Sequence, residues 1–531
     1  MTAQRVIVVG TGIGGLVSAL ELAANGVEVL LLERAAAPGG KMRQVVVGGA
    51  AMDAGPTVFT MRWVFEELFE AVGTRLSDHV SLQPVSVLAR HAWSASERLD
   101  LFADVARSAD AIGRFAGAPA ARGYLDFCAR ARRIYGALEA PFLRGSRPTP
   151  LSLAARAGWR GLPDLLRISP LATLWQQLGT HFSDPRLRQL FGRYATYCGS
   201  SPFMAPATLM LVAHVEQDGV WLVKGGMHRV AQALARLAEA HGAVMRCGAQ
   251  VEQIVVRDGR ACGVRLASGE ELTAQAVVFN GDVAALSGGL LDGLQSHAVS
   301  RAVPRTAPAR RSLSALTWNL HAPTSGFPLS RHTVFFSGDY RREFDDIFKR
   351  GRLPSAPTVY VCAQDRSDTD PGASADANTD VNIHAHDGPE RLLLIVNAPA
   401  RGDTHSFTHE ELASCEAQTF RLMQNCGLQL QRDPQQSVLT TPQDFERLFP
   451  ATGGALYGQA SHGWMASFSR PGARSRLPGL YLAGGSTHPG PGVPMAALSG
   501  RQAAASLLAD AAPRSTARWP RAATSGGTST R

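Results

Sequence analysis

The sequence predicts an α/β fold in which a parallel sheet of the nucleotide-binding type is interrupted by inserted segments that combine a mixed sheet with helices. Three observations carry this. An apolar run at the N-terminus leads into a glycine-rich turn, a helix and a second apolar run. A short apolar strand near residue 480 leads through a Gly/Pro-rich loop into another helix. Finally, 531 residues, 45% hydrophobic and 18% charged, exceed what one core organises and ask for two or more domains.

The N-terminal unit is the most specific of the three. Residues 5–9 read R-V-I-V-V, a run that suits a strand buried on both faces. G-T-G-I-G-G follows, with Gly10, Gly12 and Gly15 in G-x-G-x-x-G register and Gly14 inside it. A helix over about residues 14–25 ends at Gly26. Residues 27–32 (V-E-V-L-L-L) form a second buried strand that ends at Glu33. Each part has a physical task. Gly10 permits the turn, Gly12 lets backbone approach a pyrophosphate, and Gly15 lets helix and strand pack closely. The helix start offers free N–H groups and a positive dipole end to the phosphates. Glu33 accepts the ribose hydroxyls, which favours an unphosphorylated ribose. A lone glycine signature is weak; here the strand, helix, second strand and acid stand in order, a Rossmann-like unit.

After Glu33 and Arg34 come Gly39, Gly40, Lys41 and Arg43, and then Met52-Asp53-Ala54-Gly55-Pro56-Thr57. Alone, the second segment also admits a plain turn. In this order the segments resemble the extended dinucleotide motif of the amine-oxidase and carotenoid-desaturase flavoproteins. The resemblance implies FAD as cofactor. It places Gly40 and Lys41 along the pyrophosphate and ribityl chain, Gly55, Pro56 and Thr57 near the flavin ring, and the Val251 backbone against the adenine.

The rest of the chain divides around that domain. Residues 76–222 read as a mostly helical insert broken by Pro and Gly. A helix opening at Trp221–Met227 carries Met227, Val230, Ala231, Leu234 and Leu237 on one face and closes at Gly242. Strands follow at 250–256, 262–266, 270–274 and 276–279. Residues 301–470 form a substrate-binding region with strands at 357–363 and 391–397. The polar stretch 365–387 fits no metal-ligand spacing and reads as a solvated loop. The FAD domain is thus discontinuous, at 1–75, 223–300 and 471–510, and 511–531 reads as a disordered tail.

Residues 477–500 read L-P-G-L-Y-L-A-G-G-S-T-H-P-G-P-G-V-P-M-A-A-L-S-G. Leu480–Ala483 is a short buried strand, Gly484 and Gly485 make the turn, and a helix starts near Val493 with Pro494 and Met495 in its first turn. The N–H groups of that helix start can face the flavin and favour negative charge there. His488 admits a general-base role or a role in positioning the loop; the second is the commoner use of a loop histidine.

This segment resembles the bacterial-type carotenoid desaturases. With Phe59-Thr60-Met61-Arg62-Trp63 it looks closest to the branch that acts as 1-hydroxycarotenoid 3,4-desaturases in purple photosynthetic bacteria. The resemblance implies an acyclic 1-hydroxylated or 1-methoxylated carotenoid as substrate, the flavin N5 as hydride acceptor, and a quinone or oxygen as final electron acceptor. Arg62, Trp63 and His488 are the candidates for positioning the substrate, since no acid–base dyad stands out. The neighbouring alternatives are a phytoene-type desaturase or a flavin-dependent carotenoid isomerase. An amine oxidase is a more remote one, without a covalent-flavin Cys near the C-terminal loop. A non-enzymatic binding relative is opposed by the intact glycine signature and Glu33.

Composition excludes other classes. The seven cysteines form no C-x-x-C pair, which argues against zinc and redox-dithiol motifs and for a reducing compartment. No metal site is expected. The 53 basic and 44 acidic residues give +9 without a Lys/Arg block, so nucleic acid is not an expected partner. The excess suits an anionic membrane surface, at about 1 kcal/mol per well-placed basic residue, or reflects a genome that prefers Arg. With neither signal peptide nor an 18-residue apolar run, the expected location is cytoplasmic, peripherally associated with the inner or photosynthetic membrane.

Overall fold

The computed structural model of the chain describes residues 5–156, 158, 171–293, 296–367 and 388–512. Arg5–Val9 is the central strand of a five-stranded sheet. Glu28–Leu32 and Val244–Arg246 lie on one side of it, Ala276–Phe279 and Leu480–Leu482 on the other. Every pairing is parallel. The strands are apolar because helices cover the sheet: Val6, Ile7, Val8, Val277 and Val278 are fully buried. The chain leaves this sheet after residue 32, returns at 244, leaves again after 279 and returns at 480.

The Ile13–Ala24 helix packs against both the His228–Ala240 and Val493–Ala511 helices. It meets the end of the first strand and the C-terminal helix at backbone distance. A Cβ on Gly15 would lie 2.1 Å from the Gly10 carbonyl oxygen, and one on Gly500 would lie 2.4 Å from that of Gly14. Ser18 Oγ sits 2.8 Å from the Gly14 and 3.1 Å from the Gly500 carbonyl oxygen and ties the two helices together.

A second, seven-stranded sheet has the order Ser437–Thr440, Ser314–Ala322, Glu390–Ala398, Val359–Ala363, His332–Phe335, Val87–Ala92, Arg98–Phe102. The His332–Phe335 and Val87–Ala92 strands run parallel; the other neighbours are antiparallel. Two of these strands come from the stretch expected to be mostly helical. Arg98–Phe102 alternates buried Leu99 and Leu101 with more exposed residues, and Arg90 grips Asp100 across the pair at 2.8 and 2.7 Å. Apart from a single 3-10 turn at Leu76–Asp78, the helices of that stretch begin only at Val105. The helix expected to open at Trp221 also starts later. Val220–Val223 is a strand paired with Phe59–Thr60 and Leu82–Pro84, and the helix spans His228–Ala240. Gly225 and Gly226, at φ 83° and 92°, separate the two.

The strands read at 250–279 and at 357–397 are present: Val251–Arg257, Arg260–Leu266 and Glu271–Thr273 form an antiparallel trio, Ala276–Phe279 joins the parallel sheet, and Val359–Ala363 and Glu390–Ala398 belong to the large sheet. The polar loop from 368 onward to 387, and the tail from 513, lie outside the described residues. All seven cysteines are free thiols. No helix among the described residues is long and apolar enough to cross a membrane.

The glycine contacts give a paired test. Gly15→Ala is expected to destabilise the protein by about 1–3 kcal/mol, because neither the strand nor the helix can yield. Gly136→Ala, inside the Ala118–Leu138 helix with nothing within 4 Å of the new Cβ, is expected to stabilise it by about 0.5–1 kcal/mol. Thermal unfolding of the two variants against the parent decides; equal shifts would refute the close-approach argument.

Candidate active site

The carboxyl ends of the parallel strands open on one cavity of about 1850 Å³, roughly twice the upper end of ordinary ligand pockets at about 1000 Å³. Val9, Leu32, Phe279 and Gly484, at or just beyond the ends of four strands, all line it. That is where ligands bind in open α/β sheets. The cavity runs on between the parallel sheet and the seven-stranded sheet.

One end is a dinucleotide cradle. Gly10, Gly12, Gly14, Glu33, Arg34 and Val251 line it, followed by Gly40, Lys41, Gly55, Pro56 and Thr57, and by Gly484, Gly485, Val493 and Met495. Gly15 stands behind, against Gly10. The Ile13–Ala24 helix has Gly12 as its N-cap and no side-chain cap, so its first N–H groups are free for a phosphate. Glu33 is held at the strand end. Its Oε2 accepts from Thr11 N and Oγ1 at 2.8 and 2.7 Å, and its Oε1 from Ala35 N at 2.9 Å. One lone pair remains, on Oε1, for a ribose hydroxyl. Arg34 donates to the Arg447 carbonyl. Asp53 accepts from Met227 N at 2.6 Å, so the acid of the D-A-G-P turn fastens the start of the His228–Ala240 helix while Gly55–Thr57 face the cavity. The Val493–Ala511 helix likewise has no side-chain cap, and Pro494 brings no N–H, which leaves those of Val493 and Met495 at the cavity.

Two buried cations stand here. Lys41 Nζ donates to the Leu456 carbonyl at 2.6 Å. Burial lowers its pKa, Asp282 opposes this and Arg470 adds to it. Arg470 donates to the carbonyls of Tyr457, Gly485 and Gln459 at 3.1, 3.1 and 2.6 Å and so fixes the Gly484–Gly485 turn. The residues fit FAD: uncapped helix starts for phosphate and for the ring, an acid for ribose, and cations beside the turn. Asp282 and Arg470 carry no sequence signal, since nothing in the residues around them marks them out.

The three expected positioning residues lie elsewhere. Arg62 pairs with Glu66 at 2.7 Å and sits over the Trp221 ring. Trp63 Nε1 donates to the Tyr135 hydroxyl at 3.2 Å, with the Arg144 guanidinium 3.8 Å from its ring centre. His488 Nε2 reaches the Phe142 and Gly145 carbonyls at 2.9 and 3.1 Å. Burial pushes its pKa down to about 4, so the ring is neutral. None of the three lines the cavity; their neighbours do. Thr60 and Met61, the latter in the left-handed region at φ 48°, face it, as does Phe142, which His488 meets edge-on at 4.8 Å. Arg62, Trp63 and His488 are therefore supports of the cavity wall. They point away because each has a stronger polar partner behind it.

The other end of the cavity is apolar, with Leu138, Phe142, Leu143, Leu153, Leu209 and Val212 from the helical part and Ala315, Leu393 and Ile395 from the sheet. Polar side chains also stand on its wall, among them Thr208, Thr317, Asn397 and a linked cluster. Tyr194 and Tyr197 hydroxyls donate to the two oxygens of Glu216 at 2.7 and 2.8 Å, and Arg193 Nη2 donates to Tyr197 at 2.8 Å. Beside them the Tyr360 hydroxyl is 2.6 Å from Thr57 Oγ1 and 2.7 Å from His332 Nδ1. These residues are scattered from 57 to 360, so no local pattern announces them. No metal-ligand cluster occurs among the described residues.

With this geometry in view, likeness to known proteins is informative. Residues 13–508 match the family model of flavin containing amine oxidoreductases. The chain is 60% identical over 99% of its length to a hydroxyneurosporene desaturase of Rubrivivax gelatinosus, of which 97% is covered. It is 46% identical over 96% of its length to one of Cereibacter sphaeroides, of which 99% is covered. Wild-type putrescine oxidase bound to putrescine shares the fold at TM-score 0.56 and 15% identity, with 96% of this chain and 99% of that one covered. The chain is a FAD-dependent oxidoreductase and belongs to the flavin containing amine oxidoreductase family.

Proposed function

We propose that the protein desaturates acyclic carotenoids that carry a hydroxyl or methoxyl group at C1, introducing the C-3,4 double bond. One observation carries this: the cofactor cradle continues into a long, mostly apolar lobe with polar side chains on its wall, Tyr360 at Thr57 among them. A polyene fits the lobe and its oxygenated end fits these polar side chains. The names of the two relatives agree with this reading.

Bound FAD supplies the acceptor for the two electrons removed. The chain's own residues supply placement. Leu138, Phe142, Leu209 and Val212 bury the polyene, at about 25 cal/mol per Å² of apolar surface, and exclude water. The start of the Val493–Ala511 helix, with Lys41 and Arg470 nearby, stabilises negative charge at the cradle. The bond to be broken is allylic, and the conjugated chain spreads the positive charge that develops. Orientation therefore matters more than a strong acid or base.

The substrate dissolves in lipid, and the cavity has an exposed apolar border. Trp464 lines the cavity at 47% exposure, next to Met465 at 43%, and Leu151, at 82%, follows the lining residue Pro150. This supports peripheral attachment to the inner or photosynthetic membrane; we propose in addition the cytoplasmic side and a membrane quinone or oxygen as final electron acceptor.

Three outcomes test the proposal. Supplied with FAD and membranes, the protein is expected to add one double bond to 1-hydroxyneurosporene, seen as a new product absorbing at longer wavelength, and to leave phytoene unchanged. Conversion of phytoene would make it a phytoene-type desaturase, and isomerised carotenoid or oxidised amine would move it to those classes. Glu33→Gln is expected to weaken FAD binding by about 10- to 100-fold, read as flavin retained after dialysis. The double variant Leu151→Ser with Trp464→Ser is expected to lose most co-sedimentation with anionic vesicles; undiminished binding would place the membrane contact elsewhere.

A further inference from the structure

The cavity wall holds one charged group that the fold does not use up. Arg193 lines the cavity deep inside the molecule. Its Nη2 donates to Tyr197. Among the described residues its Nε and Nη1 have no hydrogen-bond partner, and no carboxylate stands within ion-pair distance of it. Buried polar groups are nearly always paired, so a guanidinium left with spare donors on a cavity wall marks the place of a ligand acceptor.

The surroundings define which acceptor. Glu216, reached through the Tyr197 hydroxyl, balances the charge of Arg193. Burial raises the Glu216 pKa, but Arg193 and the two tyrosine hydroxyls all favour the carboxylate. With a carboxyl group and a guanidinium facing each other across Tyr197, a neutral oxygen suits the group better than a second carboxylate or an ammonium. Each Glu216 oxygen has accepted one hydrogen bond and keeps a lone pair for a hydroxyl hydrogen.

Position adds a second constraint. Arg193 and Tyr197 share the cavity wall with Thr57 and Tyr360, whose hydroxyls are 2.6 Å apart, and with Tyr457, whose carbonyl accepts from Arg470. The wall that carries Arg193 thus also carries residues of the cradle. In the proposed reaction only C2 lies between the oxygen-bearing carbon and the bond that reacts. A site for that oxygen must lie beside the cradle and not at the far end of the lobe.

We propose that Arg193, oriented by Tyr197 and Glu216, binds the C1 oxygen of the substrate and so selects oxygenated acyclic carotenoids over their hydrocarbon parents. This rests on the desaturase reading above. An ether oxygen accepts from Arg193 as an alcohol does but offers nothing to Glu216, so the methoxylated substrate binds more weakly than the hydroxylated one.

The test uses the full-length, FAD-loaded protein and its Arg193→Met, Arg193→Lys and Tyr197→Phe variants. Each is titrated with 1-hydroxyneurosporene and with neurosporene. Quenching of flavin fluorescence gives Kd, and product formation gives kcat/KM. The preference for the hydroxylated carotenoid, taken as the ratio of the two affinities, is expected to fall about 10- to 100-fold in Arg193→Met. It is expected to fall less in Tyr197→Phe and to be partly restored in Arg193→Lys. An Arg193→Met protein that holds FAD and keeps the parent ratio overturns the assignment while the desaturase reading stands. If Arg193→Met fails to fold or load FAD, Tyr197→Phe decides by the same ratio. A parent protein that prefers the hydroxylated carotenoid yet forms no product supports the subsite and refutes the desaturase reading.

Discussion

Everything about the site depends on backbone-to-backbone packing of the first helix. The Ile13–Ala24 helix meets the Gly10 turn at Gly15 and the C-terminal helix at Gly500 at backbone distance. That closeness sets where the two helix starts point. Both are uncapped, and both deliver free N–H groups to the same cavity. A methyl group at either contact would push the helices apart and separate the phosphate end of the cradle from the ring end. The glycines are therefore constraints on geometry first and openings for a ligand second.

The cavity exists because the chain crosses between two sheets four times. Three of the crossings leave a segment at the boundary: Gly39–Thr57 on the way out, Val220–Met227 on the way back, and the turn at Gly484 on the last return. Asp53 links two of these boundaries by accepting from Met227 N, and Arg470 links others by binding the Tyr457, Gln459 and Gly485 carbonyls. Such charge-assisted bonds between distant segments hold the cradle in one shape before any ligand arrives.

The two ends of the cavity differ in physical character. The cradle offers N–H groups, an acid and two cations, which suits a charged, extended cofactor. The lobe offers mostly hydrocarbon, with the Arg193–Tyr197–Glu216 cluster on its wall. A long apolar substrate is held there mainly by burial, which is non-directional. Directional polar contact at one end is what fixes how far along the lobe it slides.

The sequence by itself determined the parallel sheet, the glycine turn, Glu33, the second motif at Gly55–Thr57 and the C-terminal helix start, because each is a local pattern with a local physical cause. Strand, turn and helix follow one another within a few residues, and the phosphates need that order. The strands Val87–Ala92, Arg98–Phe102 and Val220–Val223 were not legible, since short strands earn their stability from partners far away in the chain. The same is true of the substrate end. Arg62, Trp63 and His488 look functional in a linear reading, yet Glu66, Tyr135 and the Phe142 carbonyl draw them out of the cavity. Arg193, Glu216, Tyr360 and Arg470 are unremarkable in sequence and meet only when both sheets are in place. Which polar side chains face a cavity is settled by what stands behind them, and that is a property of the tertiary structure alone.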